Sequence, residues 1–377
     1  MKSQKLRPPS GRKPQAAAVR VQSPLPPSGF PWYQLTRVLA LALLLLIMFH
    51  TFSSRSSLRG VAGLDYQSPA AQPQLYQASP HCAATDFSTA PTVTPPLWVK
   101  SGVYNGDTLL DFSIGVPSSG SLTAEWMSAT GGVWAPIETM IFLQVLGAPK
   151  SQHFSRLVVD VGANMGYFSQ VALKMGFEVL AFEPQGRAQP YLAATAARNG
   201  NQHRFHLHAC AVGAMQGVVT MSESPNWEVS VNEGLVGARP GAEATPAGAA
   251  SAAVPMVALK DLLIPGVPIA LLKIDTEGFE RGVFVGLTPE ILASVRNIVV
   301  EIKTGESRVH IMKLLGNAGF HCRQYQEKYR DTFTFKMPPV ELASLMAQHL
   351  LPCSEVDPED FWFTKEEFPW QCRQVGC

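Results

Sequence analysis

The sequence predicts an α/β protein in which a mostly parallel sheet carries helices on both faces. Short apolar runs alternate with segments of helical character from residue 156 onward. Most of these runs are apolar throughout, as expected for parallel strands that are buried on both faces. The chain has 377 residues, of which 46% are hydrophobic, so it can form one large domain or two small ones with a real core.

The predicted elements follow one another in the strand–helix order that is typical of such a sheet. A leading segment, 96–154, ends in a helix at 136–146 and is placed to cover a site in the main domain, 155–377. The strands of the main domain are predicted at 156–161, 178–182, 205–209, 269–274, 297–302, 320–324 and 361–363, with a β-hairpin between 218–221 and 229–231. Its helices are predicted at 167–175, 188–199, 279–287 and 309–318. Residues 237–253 are rich in Ala and Gly, which predicts a flexible surface insertion.

The N-terminal region has a charge pattern of its own. No acidic residue precedes Asp65, whereas seven lysines and arginines precede the apolar run at 38–49. Basic residues ahead of an apolar helix predict a cytosolic N-terminus. We therefore predict a basic cytosolic tail at 1–33, a signal-anchor transmembrane helix at 34–52 and a flexible stem at 53–95.

This N-terminus predicts a single-pass type II protein of the Golgi or another secretory-pathway membrane, with the main domain in the lumen. Two alternatives stay open. A cleaved signal peptide has a comparable apolar core, but the basic segment ahead of it is longer here than such peptides carry. A transit peptide for a chloroplast or a mitochondrion would account for the missing acids, although the dense leucine run fits it poorly.

The charge balance and the cysteines indicate which partners and which redox environment the protein has. Thirty lysines and arginines against 29 acids give a net charge of +1, so bulk charge predicts no nucleic-acid partner. The six cysteines show no zinc-binding spacing, and their even number is compatible with disulfides in a lumen. We predict that Cys210 is a small buried hydrophobe and that Cys353 pairs with Cys372 near the chain end.

The most informative motif joins the first strand of the main domain to the helix after it. It reads Asp160-Val161-Gly162-Ala163-Asn164-Met165-Gly166-Tyr167-Phe168-Ser169. A strand, a small-residue turn and a helix N-terminus form the usual cradle for a nucleoside-bearing cofactor. Dinucleotide sites favour G-x-G-x-x-G, whereas here Gly162 and Gly166 are four apart and Asp160 would repel a pyrophosphate. The motif therefore favours a cationic ligand such as S-adenosylmethionine, and NAD stays the outside alternative.

Glu183 ends the second predicted strand, 23 residues after Asp160. A carboxylate at this position can accept hydrogen bonds from both ribose hydroxyls of an adenosine cofactor. Because NAD and S-adenosylmethionine share that ribose, Glu183 supports an adenosine cofactor without choosing between them.

A second acidic cluster follows the predicted strand at 269–274. It reads Asp275-Thr276-Glu277-Gly278-Phe279-Glu280 and is preceded by Lys273. Ligands of such sheets bind outside the carboxyl ends of the strands, so Asp275 is expected to face the same crevice as Asp160 and Glu183. Glu301 repeats the pattern at the end of the next strand. Glu277 and Glu280 are equally explained as acids that stabilise a helix N-terminus.

These motifs, with Phe182-Glu183-Pro184 and Val299-Val300-Glu301-Ile302, resemble those of FkbM-type methyltransferases in order and spacing over roughly residues 155–365. The resemblance implies a class I, Rossmann-like methyltransferase fold, S-adenosylmethionine as the cofactor, and O-methylation of a sugar hydroxyl or a polyol-like metabolite. The candidate cofactor-binding residues are Asp160, Gly162, Asn164, Gly166, Tyr167, Phe168 and Glu183. The candidate catalytic residues are Asp275, Lys273, Glu277 and Glu301. Where the family often has leucine followed by two acids, this chain has Leu259-Lys260-Asp261. Lys260 therefore occupies the position of the first acid, and no role for that acid carries over to this chain.

The sequence-based hypothesis is a membrane-anchored, lumen-facing O-methyltransferase that acts on a glycan or a small hydroxylated acceptor. Asp275 would be the base or would orient the substrate, with Lys273, Glu277 or Glu301 assisting. No metal is assigned, although a divalent ion held by Asp275 and Glu301 stays open. Two other functions also stay open: an organellar methyltransferase of a small metabolite or lipid, and a catalytically silent nucleoside-binding module. The sequence does not determine the oligomeric state.

Overall fold

The computed structural model describes residues 74–85, 97–105, 108–117, 127, 132–148, 156–223, 229–231, 250–325, 350–353 and 360–366. All of these belong to one compact unit, 73–377. Among them, no helix has both the length and the apolar character that a membrane crossing requires. The predicted tail at 1–33 and the predicted anchor at 34–52 lie outside the described residues.

Strands and helices are numbered here in chain order. The strands are β1 (Leu97–Asn105), β2 (Thr108–Val116), β3 (Leu157–Val161), β4 (Glu178–Phe182), β5 (Phe205–His208), β6 (Ala211–Val212), β7 (Gly217–Glu223), β8 (Val229–Val231), β9 (Ala250–Val257), β10 (Ile269–Ile274), β11 (Asn297–Glu301), β12 (His321–Tyr325), β13 (Leu351–Pro352) and β14 (Asp360–Thr364). The helices are α1 (Pro136–Gly147), α2 (Tyr167–Lys174), α3 (Gln189–Asn199), α4 (Glu280–Val285), α5 (Pro289–Ser294) and α6 (Gly305–Asn317).

The main sheet confirms the predicted mostly parallel arrangement. Its described strands lie in the order β13-β12-β14-β11-β10-β3-β4-β5. The strands from β11 to β5 in this order are parallel, whereas β14 runs antiparallel to both β11 and β12. The chain leaves β3 toward β4 and β5 on one side, and β10 returns on the other side of β3. This reversal opens a crevice at the carboxyl ends of β3 and β10, where such sheets bind ligands.

Two apolar layers cover the faces of this sheet. Successive strand residues point to opposite faces, so Val158 belongs to one hydrophobic cluster and Val159 to the other. The first cluster includes Phe142 of α1 and Val171 of α2. The second includes Ile311 of α6, along with side chains from α4 and α5. Burial on both faces explains why the central strands are apolar throughout.

The leading segment contains an antiparallel hairpin that we did not predict. β1 pairs with β2 along their whole length, from Leu97 opposite Val116 to Asn105 opposite Thr108. β2 packs on the helix layer, where the Gly115 N–H donates to Thr195 Oγ1 of α3 at 2.9 Å. The dipeptide Gly106-Asp107 between the two runs is a hairpin signal in the sequence.

A smaller sheet, in the order β6-β9-β7-β8, lies beyond β5 in the chain. It contains the predicted hairpin of β7 and β8, which pair antiparallel. The start of β9, Ala250–Ala253, pairs with β7, so the end of the predicted flexible insertion at 237–253 is a strand. Residues 237–249 lie outside the described residues.

Residues 74–85 pack on the main domain, although we predicted a flexible stem there. The Gln77 N–H donates to the Leu262 carbonyl at 2.7 Å, and the Thr85 N–H donates to the Leu207 carbonyl at 2.6 Å. Nδ1 of His208 bonds the Cys82 carbonyl at 2.7 Å. The stem prediction is therefore wrong for this part of 53–95, because these backbone groups find partners on the sheet.

The cysteine predictions were wrong for Cys210 and Cys353. Cys210 is buried, but it forms a disulfide with Cys82, which is 128 residues away in the sequence. Cys353 pairs with Cys322, because the antiparallel pairing of β12 with β13 brings these two residues together. The predicted partner Cys372 lies outside the described residues.

Candidate functional site

The glycine turn after β3 holds three strand ends together. Gly162 has a φ of 80°, and a Cβ there would collide with the carbonyl oxygen of Asp275. The N–H groups of Gly162 and Ala163 both donate to the Phe182 carbonyl, at 2.9 and 3.1 Å. Only glycine allows this conformation together with so close an approach. The turn therefore connects the ends of β3, β4 and β10.

Lys273 lies beneath this turn and is almost fully buried. Its Nζ is 3.6 Å from Asp160 Oδ1, 3.4 Å from Asp275 Oδ2 and 3.3 Å from the Gly162 carbonyl oxygen. Burial alone would lower the pKa of Lys273, but the carboxylates of Asp275, Asp160 and Glu138 outweigh it and raise that pKa above the ordinary value of a lysine. Lys273 is therefore a permanently charged group that two strand ends share.

Asp160 is part of an interior charge network that also includes Lys273 and Asp275. Only 1% of its side-chain surface is exposed, and its Oδ2 accepts a hydrogen bond of 2.6 Å from Ser169 Oγ of α2. Together with Lys273, this contact directs the carboxylate toward the protein interior. We predicted Asp160 as a group that faces a ligand directly, and in the structure its contacts are instead with Lys273 and Ser169.

Glu183 occupies the end of β4, as predicted. Its Oε2 accepts the Asn164 N–H at 2.7 Å, and its Oε1 accepts the Gln185 N–H at 2.9 Å. Burial and, to a smaller extent, the Asp160 charge raise the pKa of Glu183 to about 7, against the two backbone hydrogen bonds and Lys273, which lower it. Asn164 has a φ of 50°, a left-handed conformation that asparagine tolerates better than most residues. The glycine turn thus positions the carboxylate of Glu183.

These strand ends surround a cavity that is open to solvent on one side. Polar side chains of Glu183, Gln185, Asp275, Thr276 and Glu277 line part of its wall. The rest of the wall is contributed by Val161, Gly162, Phe182, Pro184, Cys210, Ala211, Val212, Met221 and Phe279.

Three carboxylates meet at the edge of this cavity. One oxygen each from Asp275, Glu277 and Glu301 lies within 4.8 Å of the other two. Nζ of Lys303 is 2.6 Å from Glu301 Oε1 and 3.4 Å from Glu277 Oε2. Burial and the charge of Asp275 raise the pKa of Glu301 to about 9, although Lys303 opposes the shift.

Glu277 has a φ of 55°, a left-handed conformation that a glutamate seldom adopts. The turn is closed by Glu280, whose Oε1 accepts the Gly278 N–H at 2.8 Å and the Thr276 hydroxyl at 3.0 Å. Glu280 therefore has the structural role at the helix start that the sequence left open. The side chain of Glu277 lies instead beside the carboxylates of Asp275 and Glu301. Backbone strain of this kind is typical of functional sites.

The structure brings some predicted residues to the cavity and leaves others in the interior. Gly162, Glu183, Asp275 and Glu277 line it, and Glu301 lies beside it. Tyr167 and Phe168, which we predicted as cofactor-binding, are core residues of α2, where the Tyr167 hydroxyl accepts from Thr139 Oγ1 at 3.2 Å. Gly166 starts α2 with a φ of 84°, so its role is conformational.

Several cavity residues were missed at the sequence level. Cys210, Ala211 and Val212 come within four residues of the end of β5, so the rule that ligands bind at strand ends could have identified them. Met221 comes from the smaller sheet, and no local signal marks it. The leading segment, which we predicted as a cover, contributes no described residue to the cavity wall.

The strand order, the glycine turn and the carboxylates at the ends of β4 and β10 define a methyltransferase-like α/β protein with a cavity at its switch point. Residues 160–322 match the sequence profile of the methyltransferase FkbM domain. The resemblance to FkbM-type methyltransferases that the sequence motifs indicated is therefore confirmed over residues 160–322. Members of this family generally use S-adenosylmethionine.

Comparison with curated protein sequences gives no match. Among solved structures, the chain is similar to a precorrin-6y C5,15-methyltransferase from Geobacter metallireducens at 10% identity and a TM-score of 0.28, covering 60% of this chain and 84% of that chain. It is also similar to an FkbM methyltransferase from Methylobacillus flagellatus at 12% identity and a TM-score of 0.29, covering 64% and 58%. The resemblance to the FkbM family rests on the sequence profile of residues 160–322.

Replacing Lys273 by Met should lower the free energy of unfolding by about 3–5 kcal/mol, because it leaves the buried carboxylate of Asp160 without a cation. The double variant Asp160→Asn/Lys273→Met should lose less than the sum of the two single variants, as measured by urea denaturation. Lys313→Met, at an exposed position on α6, is the control. A loss of under about 1 kcal/mol for Lys273→Met would contradict the interior charge network.

Proposed function

We propose that the protein is an S-adenosylmethionine-dependent O-methyltransferase that methylates a hydroxyl group of a glycan in the lumen of the secretory pathway. The observation that carries the proposal is that Glu183 and Asp275, from the ends of β4 and β10, line the same cavity beside Gly162. One carboxylate is suited to a ribose and the other to an acceptor hydroxyl. A protein that only bound a nucleoside would need the first carboxylate but not the second.

The described residues fit an adenosine cofactor. Each oxygen of Glu183 accepts one backbone N–H, and a carboxylate has about four acceptor positions, so capacity for ribose hydroxyls is left. Val212, Met221 and Phe279 give the cavity an apolar wall that suits a purine ring.

Asp275 is the candidate base. When bound, S-adenosylmethionine would supply a methyl group on a sulfonium, whose carbon–sulfur bond breaks with both electrons left on sulfur. The acceptor oxygen uses a lone pair to form the new bond to carbon, and its proton passes to a carboxylate oxygen of Asp275. Lys273, 3.4 Å from Asp275 Oδ2, holds that carboxylate in place.

The surroundings of Asp275 favour a polyhydroxylated acceptor. The side chains of Asp275, Glu277, Glu301 and Lys303 are between 25% and 41% exposed, so the acceptor region is charged and open to water. Sugar hydroxyls can donate to these carboxylates and accept from the ammonium group. An apolar lipid would bury the same charges without partners, which is costly.

The two disulfides support a lumenal location. Disulfides persist in oxidising compartments and are rare in the cytosol, and this domain contains Cys82–Cys210 and Cys322–Cys353. A basic N-terminus followed by the apolar run at 38–49 supports delivery to the secretory pathway. Both observations suit a Golgi or other secretory-pathway enzyme better than a mitochondrial or chloroplast enzyme.

The affinity for S-adenosylmethionine should rise with pH between about 6 and 8. Glu183 has a pKa of about 7 and accepts ribose hydrogen bonds best when ionised, so protonation at low pH weakens binding. Because binding is linked to the release of one proton, the dissociation constant can change by up to about tenfold over this pH range, which isothermal titration calorimetry can measure. The Glu183→Gln variant should bind more weakly and lose the pH dependence. Equal slopes for the two proteins would contradict this role.

Asp275→Asn should lower the rate of methyl transfer by about 10²- to 10⁴-fold, because it removes the proton acceptor. The dissociation constant of S-adenosylmethionine should change by less than about threefold, since only the base function is lost. Mass spectrometry of glycans and metabolites from cells lacking the protein, searching for compounds that lose one methyl group, supplies the acceptor for this assay.

The matched control is Asp261→Asn, which makes the same change at an exposed carboxylate that does not line the cavity. Its rate should stay at the wild-type level. Unchanged turnover in Asp275→Asn would remove the base assignment, and unchanged glycans with an altered lipid or small metabolite would point to a different acceptor class.

The full-length protein with a fluorescent protein at its C-terminus should colocalise with a Golgi or other secretory-pathway marker. Thiol labelling under non-reducing conditions should leave Cys82, Cys210, Cys322 and Cys353 unmodified, because an oxidising lumen maintains both disulfides. Fluorescence in mitochondria or chloroplasts, or four labelled thiols, would contradict the proposed location.

A further inference from the structure

Lys303 lies two residues past the end of β11 and contacts two carboxylates from different strand ends. Its Nζ is 2.6 Å from Glu301 Oε1 and 3.4 Å from Glu277 Oε2, and its side chain is 31% exposed. Glu277 comes from the turn after β10, so the ammonium group bridges the ends of β10 and β11. No motif in the sequence assigned a role to this lysine.

The carboxylates around Lys303 form a group with the dimensions of a metal site. The oxygens of Asp275, Glu277 and Glu301 lie within 4.8 Å of one another. Carboxylate oxygens gathered in this way are the ligands that Mg²⁺ and Ca²⁺ prefer. Three like charges so close together also repel, and a cation or a proton has to compensate them. The ammonium group of Lys303 already supplies one such cation, in contact with two of the three.

Charge compensation around Asp275 comes from two sides. Lys273 lies on the interior side, 3.4 Å from Asp275 Oδ2, and its side chain is 4% exposed. Lys303 lies on the open side, where an acceptor would enter. The two lysines therefore bracket the carboxylates at the ends of β10 and β11. Because Lys303 is in contact with water and Lys273 is not, a solvated ion could take the place of Lys303 without opening the core.

We propose that Lys303 is a built-in cation that takes the place of a divalent metal among Asp275, Glu277 and Glu301 and positions these carboxylates for the acceptor. Fixed there, its positive charge stabilises negative charge that develops on the acceptor oxygen, as a metal ion does in other enzymes. The catalytic part of this inference rests on the proposed methyltransferase function. The metal-replacing part does not, because it concerns only the charges of this chain.

The first test is the binding of Mn²⁺ alone to full-length protein, measured by titration calorimetry and by the electron paramagnetic resonance signal of the free ion. Lys303→Ala should bind Mn²⁺ at least about tenfold more tightly than wild type, because the variant uncovers the three carboxylates. Lys303→Met, which keeps the apolar stem of the side chain, guards against a folding defect. Lys313→Ala removes an exposed lysine of α6 and should behave as wild type.

The second test is activity. EDTA should leave the wild-type rate unchanged, whereas Lys303→Ala should lose about 10²-fold in kcat with a change of less than about threefold in the dissociation constant of S-adenosylmethionine. Lys303→Arg, which keeps the charge, should restore part of kcat, and so should Mn²⁺ or Mg²⁺ added to Lys303→Ala. A purely structural role would not give rescue by an ion.

The outcomes separate this inference from the proposed function. Mn²⁺ binding to wild type as tight as to Lys303→Ala, or loss of wild-type activity in EDTA, would overturn the inference while leaving a methyltransferase. Full activity of Lys303→Ala would overturn it too. An absence of methyl transfer to any hydroxyl acceptor would overturn the proposed function, and the gain of Mn²⁺ affinity in Lys303→Ala would still support the replacement of a metal by Lys303.

Discussion

The arrangement of the site depends on one buried ammonium group. Lys273 lies 3.6 Å from Asp160 and 3.4 Å from Asp275, so a single cation stabilises carboxylates at the ends of two adjacent parallel strands. Its contact with the Gly162 carbonyl connects the glycine turn to the same group. Without this cation, the carboxylates at these two adjacent strand ends would repel each other. The network therefore fixes the carboxylate of Asp275 at the crevice.

The cavity combines this rigid interior with an open, charged edge. Glu183 is buried and is held by backbone donors, whereas Asp275, Glu301 and Lys303 are partly exposed. A buried end that fixes one ligand and a solvated end that admits another is a suitable geometry for a transfer between two molecules. The apolar layers on both faces of the sheet keep these strand ends in register.

The sheet and the residues at its strand ends were predictable, because apolar runs and terminal acids are local signals. Glu183 and Asp275 line the predicted crevice for that reason. The direction of a side chain is not local, so Asp160 was expected to face a ligand although it contacts Lys273. Disulfide connectivity depends on which segments become neighbours in the fold. Cys210 pairs with a residue 128 positions earlier, so no local pattern indicates its partner. The role of Lys303 likewise appears only when two strand ends meet.

The disulfide of Cys82 with Cys210 links maturation to the completion of the binding cavity. Cys210 belongs to the cavity wall, and its partner is 128 residues earlier, in the segment that the sheet receives along β5. A chain emerging from the ribosome must therefore synthesise β3, β4 and β5 before this wall can be covalently closed. In reducing surroundings only noncovalent contacts would hold the segment. Covalent closure of this wall thus needs both a chain that is synthesised past Cys210 and oxidation of the two thiols.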